Sequence, residues 1–258
     1  MFKNRLNLRK VVAIAACLAV TIGFASCEKD NLNTDIVDVK LLDTEKSGLF
    51  HSRKFVYDEQ NRMKEIWTYS GGELYEKAFI TYTGEDLTKL EYAYLDDGEF
   101  VVVDTRNYVK NGNTISWSVG VVIIEGEGEG NQNFKSTITL TNDGFPEKLE
   151  EVLFNTTSVS VLTYVNGNLT KWTYDTVFSS SLNDPGVRNY TYGANRSAFS
   201  GCKTPKWFMF LLFYEMASYN AVTASFYSYE FDSDGFPTKR ITKYDDGSQE
   251  ITEYKYQN

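Results

Sequence analysis

Asp143-Gly144-Phe145-Pro146-Glu147-Lys148 and Asp234-Gly235-Phe236-Pro237-Thr238-Lys239 spell one pattern, Asp-Gly-Phe-Pro-x-Lys, twice in the chain. Asp-Gly is a tight-turn pair, because glycine takes a positive φ without steric cost, and the apolar residue behind it opens a return strand. Looser copies follow the same grammar of aromatic strand end, turn and apolar strand start. Tyr57-Asp58 leads to Met63-Lys64-Glu65-Ile66, and Tyr82 leads to Leu87-Thr88-Lys89-Leu90. Tyr108 precedes Asn111-Gly112 and Ile115-Ser116-Trp117, Tyr164 precedes Asn166-Gly167 and Leu169-Thr170-Lys171-Trp172, and Tyr192-Gly193 is a degenerate copy. Anchors at 57, 82, 108, 140, 164, 192 and 231 recur every 29 residues or so on average.

Further hairpin signals lie between these turns at Gly71-Gly72, Asp97-Gly98 and Asp246-Gly247, so each repeat supplies two strands. Period-two alternation in 240–244 and 253–256 agrees. The expected fold is all-β, an antiparallel up-and-down meander of about 12–14 strands. A sheet of that size curls or closes, because long flat sheets with open edges are disfavoured. Charged outward faces and the closing Tyr256-Gln257-Asn258 argue against a membrane-spanning barrel. One segment departs from the pattern: Thr204-Pro205 precedes eight apolar residues, Trp207 to Tyr214. It predicts a short helix near 204–217 with Thr204 as N-cap and Pro205 at the first helical position, apolar on every side and buried as a plug inside the sheet.

The N-terminus carries an address. Lys3, Arg5, Arg9 and Lys10 precede fourteen apolar or small residues, Val11 to Phe24, too short a run for a spanning helix of about 20 residues. Ala25-Ser26-Cys27 resembles the lipobox of bacterial lipoproteins, which implies a signal peptide over 1–26 and acylation at Cys27, with Phe24 where leucine is usual. Two acyl chains anchor stably where one is marginal. Glu28-Lys29-Asp30 resembles the surface-export signal of Bacteroidetes lipoproteins, implying an outer-membrane protein facing the cell exterior, with the periplasmic face as the alternative. Residues 27–48 read as a flexible tether and 49–258 as one repeat-built β-domain. The lipobox, the turn grammar and the inserted apolar helix together resemble a group of Bacteroidetes lipoproteins of unknown function with a porin-like fold. They are loosely similar to YD-repeat shell proteins. That resemblance implies a fold and no activity.

With 26 Lys+Arg against 35 Asp+Glu, the chain has a formal charge of -9, which disfavours nucleic acid as a partner. His51 is the only histidine and lies at the edge of the tether, so nucleophilic triads lack a base. Cys17 leaves with the signal and Cys27 is consumed by lipid, so Cys202 forms no disulfide within the chain and reads as a buried small hydrophobe. One His and one free Cys make no zinc set. Asp232-Ser233-Asp234-Gly235 lacks the later ligands of a calcium loop and reads as a turn. Gly126-Glu127-Gly128-Glu129-Gly130 reads as an acidic hairpin tip. Asp175-Thr176-Val177 resembles the Bacteroidetes O-glycosylation motif, which marks Thr176 for modification.

No catalytic residue, metal ligand or cofactor is expected. The chain carries 18 Tyr, 17 Phe and 4 Trp, and rings facing solvent on a curved sheet would be platforms for sugars. Trp67, Trp117 and Trp172 each near the start of a return strand are explained by core packing. The expected function is a non-catalytic binding module for a glycan or an extracellular protein partner. A structural or envelope-assembly role is the alternative, and a carboxylate-dependent glycosidase a distant third.

Overall fold

The computed structural model describes residues 39–48, 50–119, 134–153, 156–175 and 186–257. The signal segment, Cys27 and most of the expected tether, the acidic tip at 126–130 and Thr176 lie outside the described residues. The strands of the first half are β1 (Leu42–Ser47), β2 (His51–Tyr57), β3 (Met63–Ser70), β4 (Glu73–Thr83), β5 (Asp86–Asp96), β6 (Glu99–Asn107), β7 (Val109–Asn111) and β8 (Thr114–Val119). Then come β9 (Phe134–Leu140), β10 (Pro146–Leu153), β11 (Thr156–Val165), β12 (Asn168–Asp175), β13 (Gly186–Asn189) and β14 (Thr191–Arg196). Helix α1 (Lys206–Phe213) and a 3-10 turn (Tyr214–Ala217) precede β15 (Asn220–Thr223), β16 (Tyr227–Phe231), β17 (Pro237–Lys243) and β18 (Gln249–Tyr256).

The antiparallel meander is present, with more strands than the repeat count of 12–14 predicts, because short strands flank the main hairpins. The tether reading extends too far: β1 falls within 27–48 and pairs with β2 on one side and β18 on the other. Strand order is β13-β12-β11-β10-β9-β8-β6-β5-β4-β3-β2-β1-β18-β17-β16, and β7 pairs with β8 off this path. The two ends, β13 and β16, do not pair, so the sheet is not closed, and β14 and β15 form a separate ribbon.

Helix α1 shows that the sheet curls. Phe213 packs on Phe55 of β2 at 5.9 Å between ring centroids, and Phe210 packs on Trp172 of β12 at 5.6 Å. Those two strands are nine steps apart in the sheet, roughly 43 Å if it were flat. An eight-residue helix is only about 12 Å long, so both strands reach it only if the sheet bends around it. One hydrophobic core accordingly draws residues from strands along the whole sheet and from α1.

The helix itself departs from expectation in two ways. Thr204 does not cap it: Pro205 is at the N-cap, with no side-chain cap bond, and the Thr204 hydroxyl instead accepts the Met63 N–H at 2.7 Å, tying the helix start to β3. The helix is also not buried on every side. Trp207, Phe208, Met209, Phe210 and Phe213 are buried, whereas Leu211 and Leu212 are half-buried. Five such side chains contribute on the order of 10 kcal/mol before the entropy of ordering them is subtracted.

The repeat has a structural cause that the turn residues alone do not reveal. In the register of β3, β5, β10, β12 and β17 the second or third residue of the strand is skipped, which makes Lys64, Thr88, Glu147, Thr170 and Thr238 β-bulges. A bulge shifts side-chain parity, so residues three apart, Leu87 with Leu90 or Leu169 with Trp172, face the core together. Three bulge threonines donate back across the hairpin, Thr88 to the Thr81 carbonyl, Thr170 to Thr163 and Thr238 to Glu230, at 3.1–3.3 Å. A tyrosine hydroxyl caps the carbonyl of the residue before a bulge: Tyr57 to Leu42, Tyr82 to Met63, Tyr192 to Leu169 and Tyr256 to Pro237. At these four positions a tyrosine satisfies a carbonyl that its kinked neighbour presents to the core.

The turns are similarly copied. Asp58 Oδ1 accepts the N–H groups of Gln60 and Arg62, and Asp232 Oδ1 accepts those of Asp234 and Phe236. The fourth residue of each loop, Asn61 or Gly235, has φ of 63° or 80°, which is why glycine or asparagine recurs there.

Candidate functional site

The helix-bearing face of the sheet carries arginines laid over aromatic rings. Arg53 lies 5.2 Å from the Phe213 ring centroid, Arg106 5.3 Å from Tyr92, Arg188 5.3 Å from Trp172 and Arg240 5.1 Å from Tyr227. Two are neutralised within the chain: Arg53 pairs with the buried Glu45 at 2.6 Å and Arg106 with Asp104 at 3.0 Å. Among the described residues, neither Arg188 nor Arg240 has a carboxylate within ion-pair distance. Arg240 is the more enclosed; it lines a narrow cavity with Tyr227, Tyr229 and Tyr254. Arg188 is exposed at the edge strand β13, and it interacts with the Tyr174 and Tyr190 hydroxyls.

Around Arg188 the rings form a cluster. Tyr214 stacks on Trp172 at 5.5 Å and 16° between planes, and Tyr174 is tilted against the same indole at 5.5 Å. Each member is placed by a different device. Trp172 is turned inward by the bulge at Thr170, and it pairs with Arg188 across β12 and β13. Tyr174 lies over Gly186, where a Cβ would stand 2.2 Å from the ring, so a larger residue would displace the ring from this position. Tyr214 follows α1 with φ 49° and ψ -121°, a region that costs a non-glycine residue about 1–3 kcal/mol. The residue is 49% exposed, so the strained tyrosine is left partly open to solvent.

A stacked, partly exposed pair of rings beside a guanidinium that has hydroxyl partners but no carboxylate among the described residues is suited to the apolar face of a sugar and to an acidic or hydroxyl group on it. The sequence reading assigned no ligand-binding residue. A strand-terminal Trp172 was legible as core, but the stacking on Tyr214 depends on a backbone angle that no local pattern reveals. The three tryptophans also divide. Trp117 is buried and Trp172 packs against the core, but Trp67 lies on the other face, flanked by Lys54 and Lys77 at 5.3 and 4.6 Å. Core packing therefore does not explain Trp67.

The residues excluded from chemistry are far apart. His51 opens β2, while Cys202 lies near Met63, which pairs with Tyr57 at the other end of that strand, about 20 Å away. Cys202 is buried, and burial pushes its thiol pKa up. Asp232 and Asp234 form a turn whose carboxylates bind the Lys40 ammonium at 2.8 and 2.5 Å. No cluster of three or more potential metal ligands occurs among the described residues. No helix among them is long and apolar enough to cross a membrane, which says nothing about strands.

No family model and no curated protein matches the chain. Among solved structures it is similar to a porin-like protein from Bacteroides uniformis, at 10% identity and a TM-score of 0.37, covering 84% of this chain and 96% of that one.

Proposed function

We propose that this protein is a lipoprotein, anchored to the outer membrane through Cys27 and facing the cell exterior, that acts as a non-catalytic glycan-binding module. The observation that carries the binding reading is the strained Tyr214 stacked on Trp172 beside Arg188. A protein maintains backbone strain where surrounding contacts impose it, and such strain concentrates at ligand sites. The ligand is a saccharide whose ring stacks on Tyr214 and whose polar or acidic substituent meets Arg188. The separation of His51 from Cys202, and the burial of that thiol, support binding over nucleophilic catalysis. The anchoring rests on the lipobox-like Ala25-Ser26-Cys27.

A thermal-shift screen of the purified protein against neutral and acidic oligosaccharides tests the binding, because a ligand of the native state raises the melting temperature by mass action. A dose-dependent rise is expected with at least one glycan class; silence across the panel rejects the glycan. Fractionation of cells expressing Cys27→Ala tests the anchor, and membrane retention at the level of the unaltered protein rejects it.

A further inference from the structure

At the repeat-turn end of the sheet, away from the Trp172 cluster, a cleft of about 630 Å³ opens between the turns and the segment that leads into α1. Its size falls within the range of small-molecule sites. Trp207, Leu140 and Tyr219 supply apolar wall. The charges on it are unevenly committed. Asp86 is neutralised by Lys110 at 2.6 Å, and Glu85 lies 3.9 Å from Arg62. Lys206 lines the cleft half-buried, with its ammonium 4.8 Å from the Tyr219 ring centroid. Among the described residues no carboxylate lies within ion-pair distance of it. Lys203 lines the same cleft, likewise without an ion pair among the described residues.

A partly desolvated ammonium is costly unless an anion accompanies it. The neighbouring Cys202 cannot serve, since burial keeps its thiol protonated. Asp143 also lines the cleft without an ion pair among the described residues, but Lys206, Lys203 and Arg196 line it likewise unpaired, so in a chain that is acidic as a whole the charge left over at this point is positive. We propose that the cleft is a second binding site, for an organic carboxylate with an apolar body, whose carboxylate pairs with Lys206 while the body lies against Trp207 and Leu140. This site is independent of the glycan reading.

Isothermal titration of the purified protein with 4-phenylbutyrate, and with 4-phenylbutanol as its uncharged analogue, tests the assignment. Saturable binding of the acid is expected, with the alcohol about tenfold weaker or worse. Lys206→Met should lose about tenfold for the acid and leave the alcohol unchanged, while Lys206→Arg retains most of the acid's affinity. Tyr214→Gly should leave both titrations unchanged, which separates this site from the aromatic cluster. Absence of saturable binding by the acid overturns the proposal, as does equal binding of acid and alcohol to the unaltered protein. The acid-to-alcohol comparison decides even if Lys206→Met fails to fold.

Discussion

The Tyr214 ring lies flat on the Trp172 indole, 5.5 Å away and 16° from parallel, and it reaches that position from a backbone with φ 49° and ψ -121°. Stacking of this kind contributes about 0.5–1.5 kcal/mol beyond area burial, whereas the conformation costs about 1–3 kcal/mol for a residue with a Cβ. With the half-buried ring's own area added, the two sides come close to cancelling. Tyr214→Gly is therefore expected to change the unfolding free energy by no more than about 1 kcal/mol in either direction. Urea denaturation measures this, and a loss above about 2 kcal/mol would show the ring to be structural.

The tyrosine hydroxyls that cap bulge carbonyls predict a second outcome. Tyr57→Phe and Tyr82→Phe keep the rings and remove the donors to Leu42 and Met63. Each should cost about 1–2 kcal/mol, the penalty of an unsatisfied buried carbonyl. Neutral substitution at both positions by the same assay would mean that the repeat selects tyrosine for its ring alone.

Truncations on the two faces of the sheet should differ. Phe208 is fully buried in the core that α1 shares with the strands, so Phe208→Ala should cost about 3–5 kcal/mol. Trp67→Ala removes a larger side chain, but from the outer face, where lysine stems flank it and its indole N–H donates to Glu65 at 2.7 Å, and should cost about 1 kcal/mol. Comparable losses would contradict the assignment of Trp67 to the outer face.

The turn carboxylates make stability depend on acid. Burial acts to raise the pKa of Asp58 and of Asp232, but hydrogen bonds from backbone N–H groups and the nearby Arg62 or Lys40 outweigh it, and both fall below the ordinary 3.8. A depressed carboxylate contributes stability that is present above its unfolded pKa and lost as pH falls through the folded value. The urea midpoint should consequently decline below about pH 4, and Asp58→Asn with Asp232→Asn should flatten that decline. Lys40, raised by its hydrogen bonds to Asp232 and Asp234, works oppositely: its contribution is complete below 10.5 and fades as pH rises past its folded value. An acid limb as steep in the double variant as in the unaltered protein would assign it to other groups.

The hairpins, the meander and the helix at 206–213 were legible because their signals are local: Asp-Gly turns, alternation, and an apolar run behind Pro205. What escaped the sequence depends on parity. Trp172 stands three residues after Leu169, across a bulge, and faces inward. Trp67 stands four after Met63 across an equivalent bulge and faces outward, although both look like strand-start tryptophans. The polar β1, Leu-Asp-Thr-Glu-Lys-Ser, resembled tether because it lacks an apolar alternation and one of its two partners, β18, lies at the far end of the chain. Thr204 looked like a helix cap because nothing local announces that Met63, 141 residues away in sequence, takes its hydroxyl. The candidate site was the least visible, since Tyr214, Trp172 and Arg188 converge from three elements.

The central claim is that Tyr214 on Trp172 forms a glycan platform, and the decisive measurement is the affinity of the best oligosaccharide from the thermal-shift screen for the unaltered protein and for Tyr214→Gly, followed by tryptophan fluorescence. The account predicts that the variant, folded and of similar stability, binds about tenfold or more weakly, a loss of about 1.4 kcal/mol or more. Equal affinity in the two proteins would contradict it and place the ligand elsewhere on the sheet.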